Sequence, residues 1–262
     1  MNRDPSRLLA LQAKNKDAPR AYRIENAANE ATIYLYDVIG YDWWTGGGIT
    51  ALQFAADLNA LRGIDTVHLR FNSPGGDVFD GRAIAAALDA FPAKKVGHVD
   101  GWAASAASFI LMHCDAVEIA AGAMIMIHNG WTIAAGDNRV MADTAALLQK
   151  IDAAIQDDYM RRVNVERQQV VDWMNAETWF TAEEAVQHGL ADRIASGDGA
   201  KARAAWNVEA YAHAPAADPA PVAEEPQNVA DEPEADTPEN PTADAEHAHR
   251  LRMVAVASLT PA

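Results

Sequence analysis

Along the first three-quarters of the chain, apolar positions recur with two different periods. Residues 31–39 (ATIYLYDVI) are rich in β-branched and aromatic side chains and 66–72 (TVHLRFN) alternates apolar with polar, the pattern of strands. Residues 50–61 and 81–91 instead carry apolar side chains at helical spacing. The pattern then predicts a short strand over 95–99, a helix over 103–112 and strands over 116–120 and 124–128. A long amphipathic helix comes next over 140–162, with Leu147, Ile151, Ile155 and Tyr159 at successive i+4 positions. Thr181-Ala182-Glu183-Glu184 forms a capping box at the start of a last helix, and Gly189 closes it. This order predicts an α/β fold of repeated ββα or βα units on a largely parallel sheet. The long helix, projecting from a compact domain, needs an apolar surface to cover its stripe, which points to a partner subunit.

Composition changes the picture at the C-terminal end. Residues 214–249 hold ten acidic residues, no Lys or Arg, and seven of the twelve prolines. Such a stretch buries too little apolar surface to offset its ordering entropy, so it reads as a disordered acidic tail. The whole chain has 21 Lys+Arg against 37 Asp+Glu, a formal charge of −16, and the tail accounts for most of it. The expected organisation is an N-terminal segment over 1–30, one α/β domain over 31–196, a connecting segment over 197–213 and the tail over 214–262. With no basic face, nucleic-acid binding is not expected. The longest apolar run, 102–112, is too short to span a membrane, and the charged first twenty residues lack the apolar core of a secretory signal. A cytoplasmic protein is expected. Cys114, the one cysteine, forms no intrachain disulfide and reads as a small core hydrophobe.

Three segments pair unusual backbone chemistry with a reactive side chain. Asn72-Ser73-Pro74-Gly75-Gly76 comes directly after a strand, and its two glycines let a ligand approach free N–H groups closely. In Gly101-Trp102-Ala103-Ala104-Ser105-Ala106-Ala107-Ser108 a strand runs into a helix of small residues, with Ser105 where unpaired N–H groups gather. Met124-Ile125-Met126-Ile127-His128 is an apolar strand ending in histidine. Each alone has a plain structural reading as a turn, a helix cap or a satisfied histidine. The other histidines show no metal-ligand spacing, so no metal or cofactor is expected.

Together these segments, with WFTAEEAVQHGLAD near the end of the ordered part, closely resemble the proteolytic subunit of the ATP-dependent Clp protease. The acidic tail and divergent N-terminus are more similar to the Clp-related head maturation proteases of tailed phages and prophages. The resemblance covers roughly residues 33–194. It implies the Clp protease/crotonase-like fold with a projecting handle helix, and a serine endopeptidase with Ser105 as nucleophile and His128 as base. Gly76 and Ala106 match the two backbone donors of the oxyanion hole; the family usually has Met where this chain has Ala106. Counting back from the capping box puts Glu177 at the place of the family's Asp, with Asp172 as fallback. The implied partners are polypeptide substrates, further copies of the chain in rings, and either a Clp-type ATPase or phage capsid and scaffold proteins, the latter placing it within a prohead. The chain has no G-x-x-x-x-G-K-[ST] loop, so ATP dependence would come from a partner.

Two other readings compete. A crotonase-like acyl-CoA enzyme would use the same paired N–H groups on a thioester, though no basic cluster suggests a CoA phosphate site. A catalytically inactive assembly or scaffold protein would keep the fold while Ser105 and His128 stay apart.

Overall fold

The computed structural model describes residues 13, 15–42, 45–196, 206–209 and 211–215. The tail from 216 onward lies outside the described residues. Eight strands form one sheet: β1 (Ala21–Ala27), β2 (Glu30–Tyr36), β3 (Thr66–Ser73), β4 (Lys94–Ala104), β5 (Ala116–Ile119), β6 (Met124–Ile127), β7 (Thr178–Phe180) and β8 (Arg193–Ile194). Among the described residues six helices accompany them: α1 (Ala51–Ala60), α2 (Val78–Ala90), α3 (Ala106–Leu111), α4 (Asn138–Tyr159), α5 (Arg167–Ala176) and α6 (Ala182–Gln187). Among the described residues no helix is long and apolar enough to cross a membrane.

The main path of the sheet runs β1-β2-β3-β4-β5-β8, antiparallel at the first pair and parallel from β2 onward. Strand β4 is shared. Val96–Val99 pairs with β5, while Trp102–Ala104 pairs with β6, which continues antiparallel into β7. The β3–β4 register breaks where Phe71 pairs with Val99 but Ser73 pairs with Ala103, so β4 holds two extra residues there. Such a bulge bends a strand and re-aims the residues beyond it. In β4 those residues form the end of the sheet that carries the three chemical segments.

Alternation along β2 and β3 sends Ile33, Leu35, Leu69 and Phe71 into the core beneath α1 to α3, where they join Phe54, Leu58, Ile84, Leu88 and Phe109. Each such side chain contributes about 1.5–3 kcal/mol by leaving water. The opposite face is polar: Tyr34, Arg70, His98, Glu118 and Arg193 stand in register across five strands. Cys114 is buried, and burial pushes its thiol up to about 12.

Several boundaries move for identifiable reasons. The helix expected over 103–112 begins at Ala106, because Ala103 and Ala104 complete the ladder from β4 to β6. Helix α2 starts at Val78 rather than 81, since Asp77 accepts from the N–H groups of Phe79 and Asp80. The long helix runs over Asn138–Tyr159 with Asp137 as its cap; its last turn alone buries Ile155, Asp158 and Tyr159, so most of it projects. Leu147, Val140 and Met141 on it are exposed. Strand β1 escapes the hydrophobic pattern because it is half or fully exposed throughout, and α5, β7 and β8 are too short or too polar to show a period.

Candidate active site

Strand β4 ends at Ala104 and α3 begins at Ala106, which leaves Ser105 as a one-residue junction with φ 53° and ψ −121°. A non-glycine residue in that region costs on the order of 1–3 kcal/mol and persists only where its surroundings hold it. Here the Ser105 N–H donates to the Met126 carbonyl of β6 at 2.9 Å. The Ser105 carbonyl accepts from the Ser108 N–H at 2.9 Å and from the Ser108 hydroxyl at 2.6 Å. Tyr159, at the buried end of α4, lies 2.6 Å from the Ser108 hydroxyl; burial pushes its phenol well above the usual tyrosine range, so it remains protonated. The junction is thus tied to both the sheet and the long helix.

His128 stands immediately beyond β6. The parallel pairing of Ala104 with Met126 brings the ends of β4 and β6 level, and His128 Nε2 stands 2.7 Å from Ser105 Oγ. His128 is 7% exposed. The separation of hydroxyl and imidazole that a non-catalytic scaffold would show is not found.

Glu177 is the left-handed C-cap of α5, with φ 53° and ψ 77°, and is 4% exposed. Strands β6 and β7 pair antiparallel with Ile127 opposite Thr178, so one further step of that register sets Glu177 opposite His128. Its Oε1 accepts from the His213 backbone N–H at 2.8 Å. Asp172 sits exposed on α5, its carboxylate accepting from the Gln168 side chain at 3.0 Å. Of the two carboxylates, the buried one at the end of the β6–β7 ladder is Glu177.

The Gly-Gly loop lies against the junction. A Cβ on Gly75 (φ 91°) would come within 2.6 Å of the Ala104 carbonyl and of Ser105 Cβ, and one on Gly76 (φ 151°) within 2.0 Å of the Ile39 carbonyl. Only glycine fits either place. Ile39 holds the loop by donating to the Gly75 carbonyl at 2.9 Å and accepting from Asp77 N–H at 2.8 Å. Gly76 and Ala106 both line the cavity that Ser105 and His128 open onto, and Ala106, as the first residue of a helix, has no intrahelical acceptor for its N–H. The cavity measures about 370 Å³ and is largely apolar, walled by Phe79, Leu148 and Ile151. Among the described residues no group of three or more His, Cys, Asp and Glu side chains is arranged to hold a metal ion.

Two wall residues come from the segment that its composition marks as a connector. Trp206 donates its indole N–H to the Asn72 carbonyl at 3.0 Å, and the Tyr211 hydroxyl donates to the Pro74 carbonyl at 2.5 Å. The Tyr211 ring meets His128 edge to face at 5.5 Å. The signal that could have found them is Trp206, Val208 and Tyr211 clustering in an otherwise Ala-rich stretch.

Residues 16–198 match the model of the Clp protease family. ATP-dependent Clp protease proteolytic subunit 3 of Rhodococcus jostii (strain RHA1) is 30% identical over 131 residues, 49% of this chain and 64% of that relative. The chain therefore spans a little under two thirds of the relative's length. The matched region holds the Gly-Gly loop, the β4–α3 junction, His128 and Glu177, and the chain belongs to the Clp protease family.

Proposed function

We propose that this chain is a serine endopeptidase that cleaves polypeptides through an acyl-enzyme. The observation carrying this reading is the 2.7 Å approach of Ser105 Oγ to His128 Nε2 beside a cavity that Gly76 and Ala106 also line. Ser105 Oγ attacks the peptide carbonyl carbon while its proton passes to His128 Nε2. The carbonyl oxygen, now an oxyanion, accepts hydrogen bonds from the N–H groups of Gly76 and Ala106. His128 then returns the proton to the departing amine, leaving the acyl group on Ser105. Water, deprotonated by His128, attacks that ester and frees the enzyme. Glu177 orients the imidazole and stabilises its charged form; its burial opposite His128 supports it over Asp172.

The subunits assemble into rings. Support comes from α4, whose exposed Val140, Met141 and Leu147 leave an apolar stripe uncovered in the single chain. The substrate is unfolded polypeptide in Clp-type proteolysis, delivered by a separate ATPase, or capsid and scaffold protein in a phage head; assays with an unfolded protein and with a capsid precursor separate the two. The decisive test is labelling with a serine-directed fluorophosphonate and hydrolysis of unfolded casein, comparing wild type with Ser105→Ala. Loss of label and a fall in rate on the order of 10⁴–10⁶-fold are expected. Equal labelling of both proteins would remove Ser105 as nucleophile.

A further inference from the structure

The family match ends at residue 198, yet the wall of the candidate site continues past it. Residues 206–209 and 211–215 form a strap across the end of the sheet. Trp206, Val208 and Tyr211 are buried to 5%, 6% and 7% exposure and join Ala104 and Met126, the residues immediately before the Ser105 junction and just short of His128, in a small core of their own. The strap is also bonded down. The Asn15 side chain donates to the Asn207 carbonyl at 2.8 Å and accepts from the Asn207 N–H at 2.6 Å, while Trp206 bonds Asn72 in the bulge between β3 and β4. The Arg20 guanidinium lies over the Trp206 ring at 5.3 Å.

Four of its contacts reach the reacting groups or their supports. The Tyr211 ring packs against the His128 imidazole, and its hydroxyl holds the Pro74 carbonyl at the root of the Gly-Gly loop. The His213 backbone N–H donates to Glu177 at 2.8 Å, and His213 Nδ1 lies 2.7 Å from the Ala176 carbonyl, so the strap grips the left-handed turn on which Glu177 stands. Burial keeps the Tyr211 phenol protonated, a donor at any working pH. A plug would separate hydroxyl from imidazole or fill the cavity. Here the 2.7 Å approach is intact, and about 370 Å³ stays open beside it.

We propose that the strap is a built-in part of the active site, with Tyr211 a positioning residue that fixes the His128 ring and the Gly-Gly loop, and the His213 amide a brace for Glu177. This rests on the peptidase reading above. The experiment compares full-length wild type with Tyr211→Ala and Tyr211→Phe. It measures kcat and KM on a fluorogenic peptide, thermal melting, and the imidazole ring resonances of His128 by NMR. Removing the ring lowers kcat about 10-fold or more with KM little changed, as loss of an orienting group does, and displaces the His128 resonances. Phenylalanine keeps the ring against His128 and restores most of kcat. Unchanged kcat and unchanged His128 resonances in both variants would overturn the proposal, as would a rise in activity for Tyr211→Ala, which marks a plug. The resonances report on Tyr211 whether or not the protein cleaves peptides. Failure of wild type to hydrolyse substrate with intact resonance effects thus counts against the peptidase reading alone.

Discussion

Two stretches of chain meet at Ser105 and are held by different means. The junction, His128 and the Gly-Gly loop hang on backbone: β4 pairs with β3 and β6, Ile39 brackets the loop, and Ser105 itself donates to Met126. Among its described residues the strap has no ladder. It is held by the Trp206 indole and the Tyr211 phenol, by Asn15 on Asn207, by His213 on the Glu177 turn and by the burial of Trp206, Val208 and Tyr211. Backbone pairing fixes where a reacting atom sits to within a bond length and tolerates many side-chain changes, whereas side-chain anchoring can be lost one residue at a time. The family match covers the first kind of construction and stops before the second.

Substitutions can break or sharpen this contrast. The largest of these effects is expected at Glu177, which the strap holds through the His213 amide and which the β6–β7 register sets opposite His128. Glu177→Gln keeps the acceptor for His213 and the shape of the turn but removes the charge proposed to stabilise the His128 imidazolium, so kcat falls on the order of 10³–10⁴-fold with little change in melting temperature. Retained activity would leave the acid's role empty. Next is Gly75→Ala, which attacks the ladder-held side. Its Cβ would press on the Ala104 carbonyl and Ser105 Cβ at 2.6 Å, both parts of the fixed junction. A displacement approaching 1 Å of the proposed nucleophile corresponds to a loss of about 10²-fold in kcat/KM, and an unimpaired variant would show the junction to be softer than its pairing implies. The smallest is Asn15→Ala, which removes both bonds to Asn207 and loosens only the strap. Deuterium exchange at residues 206–215 should quicken about 10-fold, equivalent to one or two hydrogen bonds, while β4 and β6 exchange as before. Faster exchange spreading into β6 would erase the distinction between the two constructions.

The same contrast explains what could be read in the sequence. Strands β2, β3 and β6 and the capping box of α6 declare themselves through alternation and local chemistry. Ser105 and His128 stand out because both lie at the ends of such elements, and the structure brings them together. Glu177 could be reached only by counting back from the capping box, since its left-handed backbone has no glycine or asparagine to announce it. The positive φ of Ser105 is equally silent, arising from the abutment of β4 and α3 rather than from any residue preference. Tyr211 is marked in the sequence by its cluster with Trp206 and Val208 alone, since the three obey no period and lean on Asn72 and Pro74, more than a hundred residues earlier. Strand β1 is hidden for the opposite reason: its pairing with β2 is regular, but Tyr22 and Ile24 are its only side chains packed on the core, and both are only partly buried.

The one-residue junction at Ser105 leaves the site without slack. No loop lies between β4 and α3 to absorb motion, and none lies between β6 and His128, so the gap from Oγ to Nε2 is set by the relative height of two neighbouring strands. A slip of one residue, about 3.3 Å along the strand, is enough to uncouple them. Shear between those two strands would therefore act on Ser105 and His128 together.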